Sequence, residues 1–157
     1  MKNDISAIGN ALVDTVFKVE HSLITELGLE IDQMTLSSAE EHAPIIERLI
    51  ASGADTVSEC GGSATNSLVA AASFGAKCFH VCKVSDDQDG KRYLKSLKEA
   101  GVDHKGNTAS ADSLPTGKCL ILVTPDAKRT MTTALNVSSL MDESDLDLNE
   151  ISNSKIF

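Results

Sequence analysis

Tryptophan is absent from this 157-residue chain, and its other aromatics are one Tyr and four Phe. Binders of single-stranded nucleic acid stack several successive bases on aromatic rings, and that surface cannot be assembled from this inventory. Basic charge is also scarce: 14 Lys and Arg stand against 23 Asp and Glu, a formal net charge of −9. Counterion release from a phosphate backbone needs the opposite sign, so nucleic acid is not an expected partner. No apolar run approaches the roughly 20 residues that span a bilayer. The start, Met1-Lys2-Asn3-Asp4, lacks the apolar core of a secretory signal. No membrane partner is expected, and the chain reads as soluble and cytoplasmic.

Close cysteine pairs are missing too. Cys60, Cys78, Cys82 and Cys119 include no CxxC of the zinc or thioredoxin-like kind. Cys78, His80 and Cys82 do alternate along an apparent strand, which puts them on one face about 7 Å apart. A metal site there lacks an evident fourth ligand. The plainer reading is small buried hydrophobes in a strand covered on both sides, reduced in the cytosol. No metal is therefore expected.

What is present is ordinary globular composition, 41% hydrophobic and 24% charged. With so few aromatics the core must be Ala, Val, Ile and Leu, as in a layered α/β protein. A buried strand is expected over 5–9, a loop over 10–14 at its carboxyl end, and a partly exposed strand over 13–19. Ser22 is placed as the cap of a short helix over 22–29, and 34–36 as a further short strand. Ser38 and Glu41 form a capping box opening a helix with an Ile45, Ile46, Leu49, Ile50 stripe, ended by Gly53. A helix rich in small residues follows Gly61-Gly62, then a strand over 78–84 and a helix with Tyr93, Leu94, Leu97 and Ala100 inward. Val102-Asp103 is read as the start of a connection. Segments 118–124 and 129–135 form a hairpin with Pro125 at its second turn position. An acidic helix over 141–151 and a strand starting at Lys155 complete the order. A strand cut at Phe157 as it enters the core predicts a fragment of a longer protein.

The informative segment is Gly61-Gly62-Ser63-Ala64-Thr65-Asn66. Two glycines allow close approach of a ligand to backbone. The following helix turns its free amides and positive dipole end toward that ligand. Asn66 offers a donor and an acceptor, matching a hydroxyl. Alone this reads first as an ordinary strand-to-helix turn, and it is not a Walker A loop, since no Gly-Lys-Ser/Thr follows. Asp14 adds to it: it follows the first strand at the carboxyl edge, where open α/β sheets bind ligands. Its two oxygens can bridge neighbouring sugar hydroxyls. The plain alternative for a lone Asp is a turn former.

These residues occur in one order with others: Asn10 to Asp14, Gly61 to Gly75, Lys83-Val84-Ser85-Asp86-Asp87 to Gly90, Ala100-Gly101-Val102, and Thr124-Pro125-Asp126 to Arg129-Thr130-Met131. The series resembles the ribokinase (PfkB) family of carbohydrate and nucleoside kinases, and Gly-Gly-Ser-x-x-Asn-Ser is similar to its adenosine-kinase-like branch. The resemblance implies a Rossmann-like α/β core with a small β lid, the lid segments lying near 13–19, 34–36 and 118–135 of an amino-terminal part spanning 1–157. It implies an ATP- and Mg²⁺-dependent phosphotransferase acting on a hydroxymethyl group of a sugar or nucleoside. By the same comparison Asp14 and Asn66 bind sugar hydroxyls, Gly61 and Gly62 floor the sugar site, and Asn10 and Ser63 contribute as neighbours. Arg129 steadies phosphate charge, or is a solvated hairpin-end cation. Lids of the family form dimer interfaces in some members and not in others, so the resemblance leaves a homodimer through the lid open.

Two departures stand out. Ser85 replaces the family's usual Gly. The family's Gly-Ala-Gly-Asp motif, source of the anion hole and catalytic base, is missing; Gly53-Ala54-Asp55 is only a superficial match that precedes the sugar-site turn. The chain is expected to hold substrate recognition without the chemical engine, and to be inactive by itself. The alternatives are a non-catalytic sugar- or nucleoside-binding module and, last, a plain interaction domain. Near a base, Phe17, Phe74 or an aliphatic wall are the local options.

Overall fold

The computed structural model describes residues 2–110 and 113–157. In chain order the elements are β1 (Asn3–Ile8), β2 (Leu12–Lys18), α1 (His21–Glu26), β3 (Met34–Leu36), α2 (Ala39–Ala51), β4 (Thr56–Gly61), α3 (Ser63–Ser73), β5 (Cys78–Ser85) and α4 (Gln88–Glu99). There follow β6 (Val102–Ala109), β7 (Gly117–Val123), β8 (Arg129–Ala134), two 3₁₀ turns (Asn136–Leu140, Glu143–Asp145), α5 (Leu148–Ser152) and β9 (Ser154–Ile156).

Two sheets divide the strands. The core sheet, in the order β6-β5-β1-β9, is parallel throughout. The lid sheet, in the order β3-β8-β7-β2-β4, is mixed, with β7–β8 as an antiparallel hairpin and β2 parallel to β7. This is the α/β core with a β lid. β5 explains why its sheet is parallel: Cys78, Phe79, His80, Val81 and Cys82 are all buried, as a strand covered on both faces must be. Cys78, Cys82 and Val84 of β5 and Val102 pack with Leu68, Tyr93 and Leu97 beneath α3 and α4. The small residues of α3 let it sit close: a Cβ at Gly9, just past β1, would come within 2.6 Å of the Ala64 Cβ.

On the lid, α1 and α2 cover one face through Phe17, Leu120 and Leu122 packed on Leu23, Ile24 and Leu49. The capping box on α2 is present: the Glu41 amide donates to Ser38 Oγ at 3.2 Å, and Glu41 Oε2 accepts from the Ser38 amide at 2.7 Å. The Ala127 amide donates to the Thr124 carbonyl, which seats Pro125 second in the hairpin turn.

Several expectations need correction. Asp14 lies inside β2, not in a loop, because the strand pairs with β7 from Leu12 onward. α1 starts one residue before Ser22, after Glu20, with no side-chain cap. Ile50 is 67% exposed, since it sits about 100° round the helix from the inward Leu49. The 141–151 stretch breaks into a 3₁₀ turn and the short α5. Two strands were unanticipated: β4, and β6 where a connection was expected. Both are sheet edges with polar residues on each face, so their backbones are recruited by β2 and β5 without any alternation to betray them.

Candidate active site

Strand register assembles the site. On the lid face away from α1 and α2, Asp14 stands between Glu59 of β4 and Cys119 of β7; Cys119 pairs with Thr133 of β8, and Thr133 with Leu36 of β3. One row across five strands is therefore Glu59, Asp14, Cys119, Thr133, Leu36. Two residues along each strand lies a second row, Val57, Val16, Ile121, Met131, Met34. The first row carries a carboxylate pair, a thiol and a hydroxyl; the second is wholly apolar. Val57, Leu36 and Met34 are more than half exposed.

The glycine turn closes the polar row. A Cβ at Gly61 would overlap the Asp14 carboxylate, so the missing side chain is what lets that carboxylate lie against β4. Gly62 caps α3 at φ 103°, and a Cβ there would meet the Asn10 carbonyl at 2.5 Å. Asp14, Asn10, Gly61, Gly62 and the first turn of α3 thus converge. Ser63 and Asn66 are exposed in that turn, and the Asn66 amide already bonds the Gly62 carbonyl. Half-burial pushes the Asp14 carboxyl above the ordinary range, and the Arg129 guanidinium partly offsets this. Arg129 itself is exposed on the same face, opposite Val123, about 13 Å along β7 from Cys119.

Beneath α3 a buried network props the turn. Thr65, 1% exposed, shares hydrogen bonds with the Tyr93 hydroxyl and with His80 Nε2 at 3.2 Å. His80 Nδ1 lies 3.2 Å from the Ala7 carbonyl. A carbonyl only accepts, so Nδ1 carries the proton and Nε2 accepts. Burial holds His80 below its ordinary pKa and hence neutral. His80 is committed to these partners, while Cys78 and Cys82 belong to the hydrophobic core. Burial pushes the Cys82 thiol up to about 12. Among the described residues no three His, Cys, Asp or Glu side chains could hold a metal ion.

Sequence reasoning missed Cys119, Thr133 and Leu36 as members of the site row, and Thr65, His80 and Tyr93 as its support. The alternation Gly117, Cys119, Ile121 was the available signal, but only register aligns it with Asp14. Neither candidate aromatic reaches the site. Phe17 is buried under α1 and α2 on the opposite face, and Phe74 is 91% exposed at the far end of α3, about 16 Å from its amino terminus. The aliphatic second row is what stands beside Asp14.

A parallel α/β core, a β lid and a carboxylate over a diglycine turn at a helix start define the class of sugar and nucleoside kinases with the ribokinase fold. Residues 30–157 match the profile of the pfkB family carbohydrate kinases, and the chain belongs to that family. It is 29% identical over 86 residues to ribokinase of Mus musculus, covering 55% of this chain and 26% of the relative. Among solved structures it is similar to adenosine kinase from Sinorhizobium meliloti, with TM-score 0.90 and 29% identity over 99% of this chain and 46% of that one. A probable sugar kinase from Rhizobium etli matches at TM-score 0.89 and 24% identity, over 98% and 45%. Adenosine kinase from Schistosoma mansoni in complex with adenosine matches at TM-score 0.84 and 19% identity, over 99% and 47%; these last two speak to fold alone. The chain spans about half the length of these structures and aligns with about a quarter of the curated relative. No helix among the described residues is long and apolar enough to cross a membrane.

Proposed function

We propose that this chain is the substrate-recognition part of an ATP-dependent kinase that phosphorylates a hydroxymethyl group, and that its acceptor is a nucleoside rather than a free sugar. The two-row lid face carries the reading. A free sugar presents hydroxyls on every side and has no use for a row of Val, Ile and Met. A nucleoside presents hydroxyls at the ribose and a flat, largely apolar base, and matches a polar row beside an apolar one.

In this reading the Asp14 oxygens accept from two neighbouring ribose hydroxyls, Asn66 and Ser63 add bonds from the first turn of α3, and Gly61 and Gly62 let the sugar approach the backbone. Asn10 borders the same floor. The rows Val57 to Met34 and Leu36 cover the base and exclude water. Arg129 is exposed and unburdened by burial, suited to steadying phosphate charge at the open end of the face. ATP supplies the phosphoryl group, with Mg²⁺ compensating its charge. Those groups and the base that deprotonates the acceptor are assigned to the part of the relatives that this chain does not span. What these residues do is bind and orient the acceptor hydroxymethyl group.

The test is equilibrium titration of the purified chain with adenosine and with ribose, followed by phosphoryl transfer from ATP. Adenosine binding that Asp14→Ala abolishes, with ribose markedly weaker, supports the reading. Equal affinities for both would replace nucleoside by sugar. Binding with no transfer, even when the gene's whole product is assayed, would leave a non-catalytic binding module. A homodimer through the same open face would compete with substrate, and sedimentation with and without adenosine separates the two uses.

A further inference from the structure

The chain passes between core and lid sheets four times, after β1, β4, β6 and β8. One side chain gathers the bonds at two of these passages. Thr116, 1% exposed, precedes β7. Its amide donates to Asp87 Oδ2 at 2.8 Å, and its hydroxyl donates to Asp87 Oδ1 at 2.7 Å. Its Oγ1 accepts from the Ser85 amide at 3.0 Å, and its carbonyl accepts from Asn136 Nδ2 at 3.1 Å. Every polar atom of Thr116 is used.

Asp87 is equally occupied: Oδ1 also accepts from the Gly90 amide at 2.7 Å, capping α4. Gly90 must lack a side chain, since a Cβ would lie 2.9 Å from Thr116 Oγ1 and overlap the Ser85 carbonyl. Asn136, just past β8, holds φ 50° in the left-handed region, and the neighbouring Val137 amide bonds the Pro115 carbonyl. The Ser85, Asp87, Gly90 spacing singled out in the sequence thus fastens the core end of α4 to both legs of the β7–β8 hairpin.

We infer that Asp87 and Thr116 are positioning residues that set the angle of the lid sheet on the core sheet. β7 carries Cys119 and pairs directly with β2, so a tilt about this node displaces the whole row through Asp14 relative to Gly62 and Asn66. Two further polar links between the layers lie nearer solvent. Lys118–Asp89 is an ion pair whose partners are each about a third exposed, and such surface pairs contribute little. Arg92 to the Ser58 carbonyl is exposed as well. The consequence for substrate rests on the kinase reading; the mechanical claim rests on the hydrogen bonds alone.

The experiment is hydrogen exchange on the 157-residue chain carrying Thr116→Val, Thr116→Ser or Asp87→Asn, with adenosine titrated in parallel. Thr116→Val speeds exchange of residues 120–123 and 130–134 by about tenfold, the factor expected for one lost buried hydrogen bond. Exchange of residues 79–82 stays within about twofold, and Thr116→Ser behaves as the parent. Adenosine affinity falls by about tenfold in Thr116→Val, and the serine variant restores it. Equal acceleration in both sheets, or none in the lid, overturns the assignment, and Asp87→Asn answers the same question if the valine variant does not fold. A parent chain that fails to bind adenosine counts against the kinase reading, while the exchange pattern still decides this one.

Discussion

The carboxylate of Asp14 occupies the space that any side chain at position 61 would take. The two residues lie on neighbouring antiparallel strands, and the absence of a Cβ on one sets the rotamer of the other. Gly62, one residue on, faces fixed backbone instead. The two glycines therefore fail differently when replaced.

Gly61→Ala displaces only a side chain, so Asp14 rotates away, stability changes by less than about 1 kcal/mol, and nucleoside affinity collapses. Gly62→Ala forces a left-handed residue against the Asn10 carbonyl and costs about 1–3 kcal/mol. Thermal unfolding and titration calorimetry on the two variants check the contrast. Equal destabilisation by both would contradict it.

Asp14 carries a pH signature. Its folded pKa is raised by burial above the unfolded value. The folded state thus binds the proton more tightly, and stability is fullest below the unfolded pKa of about 3.9 and falls as pH rises through the folded value. Asp14→Asn removes that burden. The variant melts higher than the parent at pH 7, its advantage disappears near pH 4 and below, and its nucleoside affinity is lost. A lower melting temperature at pH 7 would show the carboxylate to be stabilising.

Thr65→Val leaves the Tyr93 hydroxyl and His80 Nε2 with only each other, at 3.4 Å. A loss of about 1–3 kcal/mol follows from the weakened buried bonds. Chemical denaturation measures it. Thr65→Ser, which keeps the hydroxyl, recovers most of the difference.

Ser38→Ala dissolves the capping box at the start of α2 and costs about 1 kcal/mol. Because α2 covers the lid face opposite Asp14, ligand affinity is unchanged. A drop in affinity would mean that α2 communicates with the site row.

Much of the scaffold was legible because it is written in local patterns. The Ser38–Glu41 box, the Gly-terminated helices, the continuous apolar run of β5 and the Pro125 hairpin each depend on neighbours within a few residues. β4 and β6 were not legible, since an edge strand owes its conformation to the partner strand and carries no alternation of its own. Asp14 was placed in a loop but lies within β2, because nothing local announces that the strand begins at Leu12. The exclusion of Phe74 likewise required knowing where the far end of α3 lies.

By itself the sequence determined the layer chemistry, the acidic surface, the ordered motifs and the family they belong to, all of which depend on residue type and short spacing. Only tertiary structure decided which residues meet. Asp14 and Thr133, with Leu36 and Cys119 between them in sequence, lie 119 positions apart, and Asp87 meets Thr116 across 29. Strand register and side-chain hydrogen bonds of that range are chosen by the whole packed chain, in which a one-residue slip would turn every member of the site row to the opposite face.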